Sequence, residues 1–295
     1  MTRILNRFVL VLTAMLVAAY AYLAWRIGAG AAGKLALAVP FVLIWLVPVL
    51  YWVEDRESGT AADELLHFAA YLSMGWLNFA LLVSLARDAV QLLTPWDPGA
   101  GAVLAGSFLA LGAGMAASLR GPHVRHVDIP VDGLDPALEG TRIVQITDLH
   151  VGPTLGRRYV RRVVRMANAL EPDFFALTGD FVDGPAARLA RHVAPLAGLA
   201  PAGRAFFVPG NHETYSGAAP WLEQFRSLGF RVLLNEHETV DVRGARVLVG
   251  GVTDPSAARP RPDLAAGRGE DAALRVLLAH NPKIAPLAQE AGFDL

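Results

Sequence analysis

The chain has 295 residues, of which 54% are hydrophobic and only 18% charged, and its mean hydropathy is +0.38. Soluble domains run at roughly 45–50% apolar and about 25% charged, so neither a disordered chain nor an ordinary fully soluble enzyme fits. The net charge of −1 removes a global electrostatic case for nucleic-acid binding, and the absence of cysteine excludes disulfide scaffolds, thiolate metal sites and cysteine nucleophiles.

Charge divides the chain into two parts. Residues 1–119 hold 6 Lys+Arg and 7 Asp+Glu, whereas residues 120–295 hold 20 and 20. Within the first part, Phe8–Trp25, Leu35–Val53, Leu65–Ala86 and Pro98–Leu119 contain no Asp, Glu, Lys or Arg. Each meets or approaches the roughly 20 apolar residues that carry a helix across a bilayer. Tyr20, Tyr22, Trp25, Tyr51, Trp52 and Trp96 lie near the ends of these stretches, as interfacial aromatics do. The first run exceeds the apolar core of a signal peptide, so it reads as an anchor. Four spans place both ends on one side. That side collects Arg3, Arg7, Arg56, Arg120 and Arg125, against Arg26, Lys34 and Arg87 opposite, which favours a cytoplasmic soluble domain.

Residues 120–140 read as a linker with a short strand candidate at His126–Pro130. Beyond it, strands are expected at Arg142–Thr147, Phe174–Thr178, Ala205–Pro209, Arg231–Leu234, Thr239–Val242, Arg246–Gly250 and Arg275–Ala279. Helices are expected at Arg157–Leu170, Ala186–Leu199 with an interruption at Pro195, Ala219–Leu228 and Ile284–Ala291. This alternation predicts an α/β domain over 141–295. In Arg157–Leu170, Val160, Val163, Val164 and Ala167 fall on one face, and Arg158, Arg161, Arg162 and Arg165 on the other. A solvated face is the plain reading of these arginines; contact with anionic headgroups is the functional one.

Polar groups follow the strands. Asp148-Leu149-His150 follows the first, Gly179-Asp180 and Asp183 the second, Gly210-Asn211-His212-Glu213 the third and His280-Asn281 the last. Ligands of α/β sheets bind beyond the strand C-termini. Each motif alone is weak, but the ordered set predicts a metal site. Imidazole with carboxylate suits Mn, Fe or Zn. If two ions sit side by side, Asp180 is the natural bridging ligand.

These residues resemble the calcineurin-like metallophosphoesterase superfamily, whose signature runs D-x-H, G-D-x-x-D, G-N-H-[ED], H and G-H-x-H. The resemblance covers Thr141–Leu295 and looks nearest to a membrane-associated branch with transmembrane helices before the phosphoesterase domain. It implies an αββα sandwich and a dinuclear centre. Asp148, His150 and Asp180 would take the first metal, and Asp180, Asn211 and His280 the second. A metal-activated water would attack phosphorus. His212 would assist the transition state or the leaving oxygen, oriented by Asp183. The substrate class is a phosphomonoester, phosphodiester or pyrophosphate, and membrane tethering makes a lipid-linked phosphate reasonable. Gly184-Pro185 after Asp183 departs from the protein-phosphatase pattern.

The final G-H-x-H is absent before Leu295. The sandwich is therefore expected to be incomplete at the C-terminus, with weak metal binding and little activity for residues 1–295. The alternative is a non-catalytic membrane protein with a degenerate phosphoesterase fold that binds phosphate ligands or a partner.

Overall fold

A computed structural model describes residues 7–28, 30–50, 61–152, 155–201 and 203–295. It divides into two compact units, Met1–Gly121 and Pro122–Leu295.

The first unit is helical: α1 (Arg7–Arg26), α2 (Gly30–Pro48), α3 (Ala61–Leu93) and α4 (Gly99–Leu119). All four are long and apolar enough to cross a membrane. Their inner faces bury Leu23, Phe41, Ile44, Trp76, Leu77 and Val103 against one another. Their outer faces leave Leu10, Met15, Leu35, Val39, Leu82 and Leu109 exposed, which suits a hydrocarbon solvent and not water. Two indole N–H groups inside are bonded: Trp76 donates to Ser107 Oγ at 3.1 Å and Trp45 to Thr13 Oγ1 at 2.9 Å.

The expected third span, Leu65–Ala86, ends where charge begins, yet α3 continues to Leu93. The extension is stabilised because its charges find partners. Asp88 accepts from Tyr22 Oη at 2.7 Å and from Arg26 Nε at 2.7 Å, joining α3 to the end of α1. Arg87 makes a two-pronged contact with Asp97, both bonds at 2.7 Å. Tyr51, Trp52 and the end of the expected second span lie outside the described residues.

In the second unit, β1 (Ile143–Ile146), β2 (Phe174–Thr178), β3 (Ala205–Val208) and β4 (Arg231–Val232) form a parallel sheet in that order. A second sheet takes β5 (Glu236–Val242), β6 (Ala245–Gly251) and β7 (Leu274–Leu278) in order. The β5–β6 pair is an antiparallel hairpin, and β6–β7 is parallel. Arg243 and Gly244 turn the hairpin at φ 53° and 89°, the left-handed values that a two-residue primed turn requires.

Period-2 alternation along β2 explains the layering. Phe175 and Leu177 face the helices, where they meet Val160, Val163, Phe181, Phe207, Trp221 and Phe225. Phe174 and Ala176 face the other way and meet Val247, Val249, Val276 and Leu278 of the second sheet. Every residue of β2 is therefore buried, as its unbroken apolar run predicts. Each fully buried Phe contributes about 1.5–3 kcal/mol by area.

Outside the first sheet lie α5 (Arg157–Asn168), α6 (Ala186–Val193), α7 (Asn211–Tyr215) and α8 (Ala218–Ser227). Outside the second lie α9 (Pro262–Ala265) and α10 (Ala285–Ala291), where Ala265 and Ile284 pack with Val252. Helices therefore flank two face-to-face sheets. Pro195 ends α6 as expected, and a 3-10 turn over Ala194–Gly198 takes the rest of that segment.

The strand candidate His126–Pro130 is not a strand. Val127 and Ile129 are exposed, and among the described residues no strand takes their backbone groups. Alternating apolar residues specify a strand only where a partner edge exists.

Candidate metal centre

The expected site residues sit beyond the C-terminal ends of β1, β2, β3 and β7. The loops after β1 and β2 run alongside each other: Asp148 N–H donates to Gly179 O at 3.1 Å, His150 N–H to Asp180 O at 3.1 Å, and Val151 N–H to Phe181 O at 2.9 Å. Asp148, His150 and Asp180 all have left-handed backbones, with φ of 53°, 44° and 55°. Non-glycine residues rarely adopt this region, and such strain collects at functional sites. Two glycines permit the close approach behind them. A side chain on Gly179 would overlap the Gly210 backbone, and one on Gly210 would overlap the Asp180 carboxylate.

Asp180 is the centre of the arrangement. Its Oδ1 accepts the His212 backbone N–H at 2.9 Å. Its Oδ2 faces three imidazole nitrogens: His280 Nε2 at 3.3 Å, His212 Nε2 at 3.9 Å and His150 Nε2 at 4.0 Å. Asp148 Oδ1 stands 3.7 Å from His150 Nε2.

The second nitrogen of each ring is anchored. His280 Nδ1 bonds to Thr178 O at 2.9 Å. His150 Nδ1 and His212 Nδ1 both bond to Asp183 Oδ1, at 2.8 and 2.7 Å. A proton on each Nδ1 leaves the Nε2 lone pair free toward Asp180. The His150 and His212 rings meet edge-on, with centroids 4.6 Å apart.

The donor set fits divalent metals. Ligand bonds of about 2.1 Å put two ligands on one ion roughly 3–4.2 Å apart, depending on their angle. The Nε2-to-carboxylate separations fall in that window. Donor atoms also cluster as Asp148, Asp180 and His280, and as His150, Asp183 and His212. In the second cluster, separations of 2.7 and 2.8 Å between Asp183 and the rings are hydrogen-bond lengths. Asp183 therefore orients rings, while Asp148 and Asp180 present oxygens to the Nε2 atoms. Sequence reasoning tied Asp183 to His212 alone; the shared bond to His150 is new. Asn211 opens α7 at the same edge, but no hydrogen bond joins its side chain to the other six among the described residues.

Burial lowers the pKa of His150, but the hydrogen bond to Asp183 and the charges of Asp183, Asp180 and Asp148 outweigh it and hold the ring above its ordinary 6.5.

Glu213 escaped sequence reasoning as a site residue. It is fully buried. Its Oε2 accepts from Asp180 N–H at 2.9 Å and Gly210 N–H at 2.8 Å, and its Oε1 from Phe181 N–H at 2.7 Å. One carboxylate thus holds the turn after β2 against the turn after β3. Burial raises its pKa, against the lowering effect of these three bonds. The signal was present: Glu213 stands at the third position of α7, where a carboxylate reaches back to the helix start.

A family model for calcineurin-like phosphoesterase matches residues 141–284. A zebrafish (Danio rerio) transmembrane protein with metallophosphoesterase domain is 34% identical over 197 residues, covering 62% of this chain and 44% of its own length. The bovine (Bos taurus) protein of the same name is 33% identical over 243 residues, covering 77% and 53%. An uncharacterized metallophosphoesterase of Helicobacter pylori is 32% identical over 188 residues, covering 62% and 49%. The chain thus spans about half the length of the curated relatives it matches. No solved structure matches. Signature, sheet-edge geometry and relatives agree: the chain is a membrane protein carrying a domain of the calcineurin-like metallophosphoesterase family.

Proposed function

We propose that this chain is a membrane-anchored hydrolase of phosphoric esters, working through two divalent metal ions held by Asp148, His150, Asp180, Asn211 and His280. The observation that carries this reading is the convergence of three Nε2 atoms on Asp180 Oδ2, within 3.3–4.0 Å, with every Nδ1 tied behind. Divalent metals in such a site lower the pKa of water and neutralise phosphoryl oxygens. Asp180, nearest the centre and least exposed, would be the ligand shared by the two ions. Its Oδ1 bond to the His212 backbone fixes the carboxylate plane.

His150 and His212 have different work despite their shared anchor. His150 also faces Asp148 at 3.7 Å, which supports its reading as a ligand. His212 rides on α7, with its ring partly open to solvent. Its Nδ1 bond to Asp183 fixes the ring with Nε2 turned toward the site, where it can serve the leaving oxygen. Tethering to a bilayer favours a lipid-linked phosphate as substrate, and the basic residues flanking the spans favour a cytoplasmic domain.

The test is metal content and hydrolysis by the full chain in detergent, with bis(p-nitrophenyl) phosphate and phosphatidic acid as substrates. Manganese uptake that D180N abolishes, together with chelator-sensitive hydrolysis, supports the reading. Full manganese uptake by D180N rejects it. Hydrolysis confined to the soluble ester would reject the lipid preference alone.

A further inference from the structure

We infer that α5 is an electrostatic docking face for anionic phospholipid, holding the phosphoesterase domain against the bilayer its own helices cross. Arg157, Arg158, Arg161, Arg162 and Arg165 are all exposed, and the helix has no acidic residue. None of the five forms an ion pair with a described residue. Four exposed arginines elsewhere in this unit are paired. Arg243 pairs with Asp173 at 3.4 Å, Arg246 with Glu270 at 3.1 Å, Arg261 with Asp263 at 2.6 Å, and Arg231 with Glu238.

Helix stability does not explain the arrangement. Arg157–Arg161, Arg158–Arg162 and Arg161–Arg165 are like-charge pairs at i, i+4, and each weakens an isolated helix. Arg157 and Arg158 stand in the first turn, where the helix dipole is already positive. The buried face of Val160, Val163, Val164 and Ala167 holds α5 in place regardless. The outcome is a row of guanidinium groups without ion-pair partners among the described residues, on one helix of a segment whose charges balance overall, with 20 basic and 20 acidic residues over 120–295.

Such a row calls for a multivalent anionic partner. A bilayer is the partner the chain guarantees. The last apolar helix ends at Leu119 and the second unit begins at Pro122. The domain is therefore held at a membrane surface covalently, and weak headgroup contacts act intramolecularly. Each basic residue near an anionic leaflet adds attraction that falls off within a Debye length. Guanidinium groups also match phosphate by paired hydrogen bonds.

The chain has no cysteine, so a single reporter can be placed at exposed Ala169, just past α5. The full-length A169C chain, labelled with bimane, is reconstituted in nanodiscs of phosphatidylcholine with or without a third of phosphatidylglycerol. Spin-labelled lipid serves as quencher. Quenching should be at least about threefold greater in the anionic discs, and high salt should abolish the difference. Replacing Arg158, Arg161, Arg162 and Arg165 with Gln should also abolish it; replacement with Lys should retain it. Circular dichroism checks that both variants keep their helix content. Equal quenching in the two disc types overturns the inference, as does undiminished quenching of a folded Gln variant. Binding of an RNA oligonucleotide at physiological salt, without quenching in anionic discs, assigns the row to nucleic acid and equally overturns it.

Discussion

His280 Nε2 stands 3.3 Å from Asp180 Oδ2, although the two residues extend from different sheets. Packing of β2 against β7 through Phe174, Ala176, Val276 and Leu278 sets this distance. Asp180 also faces His150 and His212, so on the proposed two-metal reading it should matter to both ions. D180N is expected to reduce manganese content to background. H280A, with ligands left on the other side of Asp180, should lose about half. Plasma mass spectrometry of the purified full chain decides. Equal losses in the two variants would argue against a shared carboxylate.

Asp183 holds two rings by one oxygen. Removing the partner behind a metal-facing histidine typically costs 10–100-fold in metal affinity or activity. D183A should fall at or beyond the upper end of that range, because His150 and His212 both lose their tautomer control. D183N keeps an acceptor but loses the charge, and should fall between D183A and the parent chain. Manganese titration and the pH–rate profile together separate the two roles. An effect on the pH–rate profile with unchanged metal affinity would restrict Asp183 to His212.

Glu213 satisfies three buried backbone donors. Each buried donor left unpaired costs about 1–3 kcal/mol. E213A should therefore destabilise the second unit by about 3 kcal/mol or more, and free the turns carrying Asp180 and His212. E213Q retains one acceptor oxygen and should be milder. Hydrogen exchange of the Asp180, Phe181 and Gly210 amides is the direct readout. Unchanged protection in E213A would mean that the loops hold themselves.

Asp88 joins α1 to α3 through Tyr22 and Arg26. Hydrogen bonds to charged groups contribute roughly 1.5–3 kcal/mol. D88A should lower the stability of the helical unit by about that amount, and R26Q alone by less, because Tyr22 still donates. Denaturation in mixed detergent, followed by tryptophan fluorescence, measures both. No change in D88A would make the contact a solvated ion pair of little consequence.

Much of this architecture was legible because single elements carry their own periodicity. Val160, Val163, Val164 and Ala167 mark the buried side of α5, and Phe174–Thr178 reads as a buried strand without its neighbours. Asp148, Asp180, His212 and His280 were findable because each follows a strand. Relationships between elements were not legible. The bond from Asp183 to His150 depends on how two loops zip together. The extension of α3 to Leu93 depends on Arg26 and Asp97, which lie outside that helix. His126–Pro130 has the composition of a strand and lacks only a partner edge, which no local pattern reports.

The His150 ring gives the pH dependence its sign. Burial works against its proton, yet Asp183, Asp180 and Asp148 prevail, so the metal-free fold holds the proton above the ordinary value of 6.5. Because the folded pKa exceeds the unfolded one, protonated His150 adds stability that is full below about 6.5 and lost as pH rises through the folded value. Metal binding has the opposite demand, since a ligating nitrogen must give up its proton. Manganese affinity should therefore climb with pH above 6.5 and level off once the raised pKa is passed. Calorimetry at pH 7 in two buffers of different ionisation enthalpy counts the protons released. The parent chain should release more than H150Q at pH 7, and the difference should vanish well above the raised pKa. Equal release by both proteins at pH 7 would mean that His150 already meets the metal deprotonated, and that the three carboxylates do not control its charge.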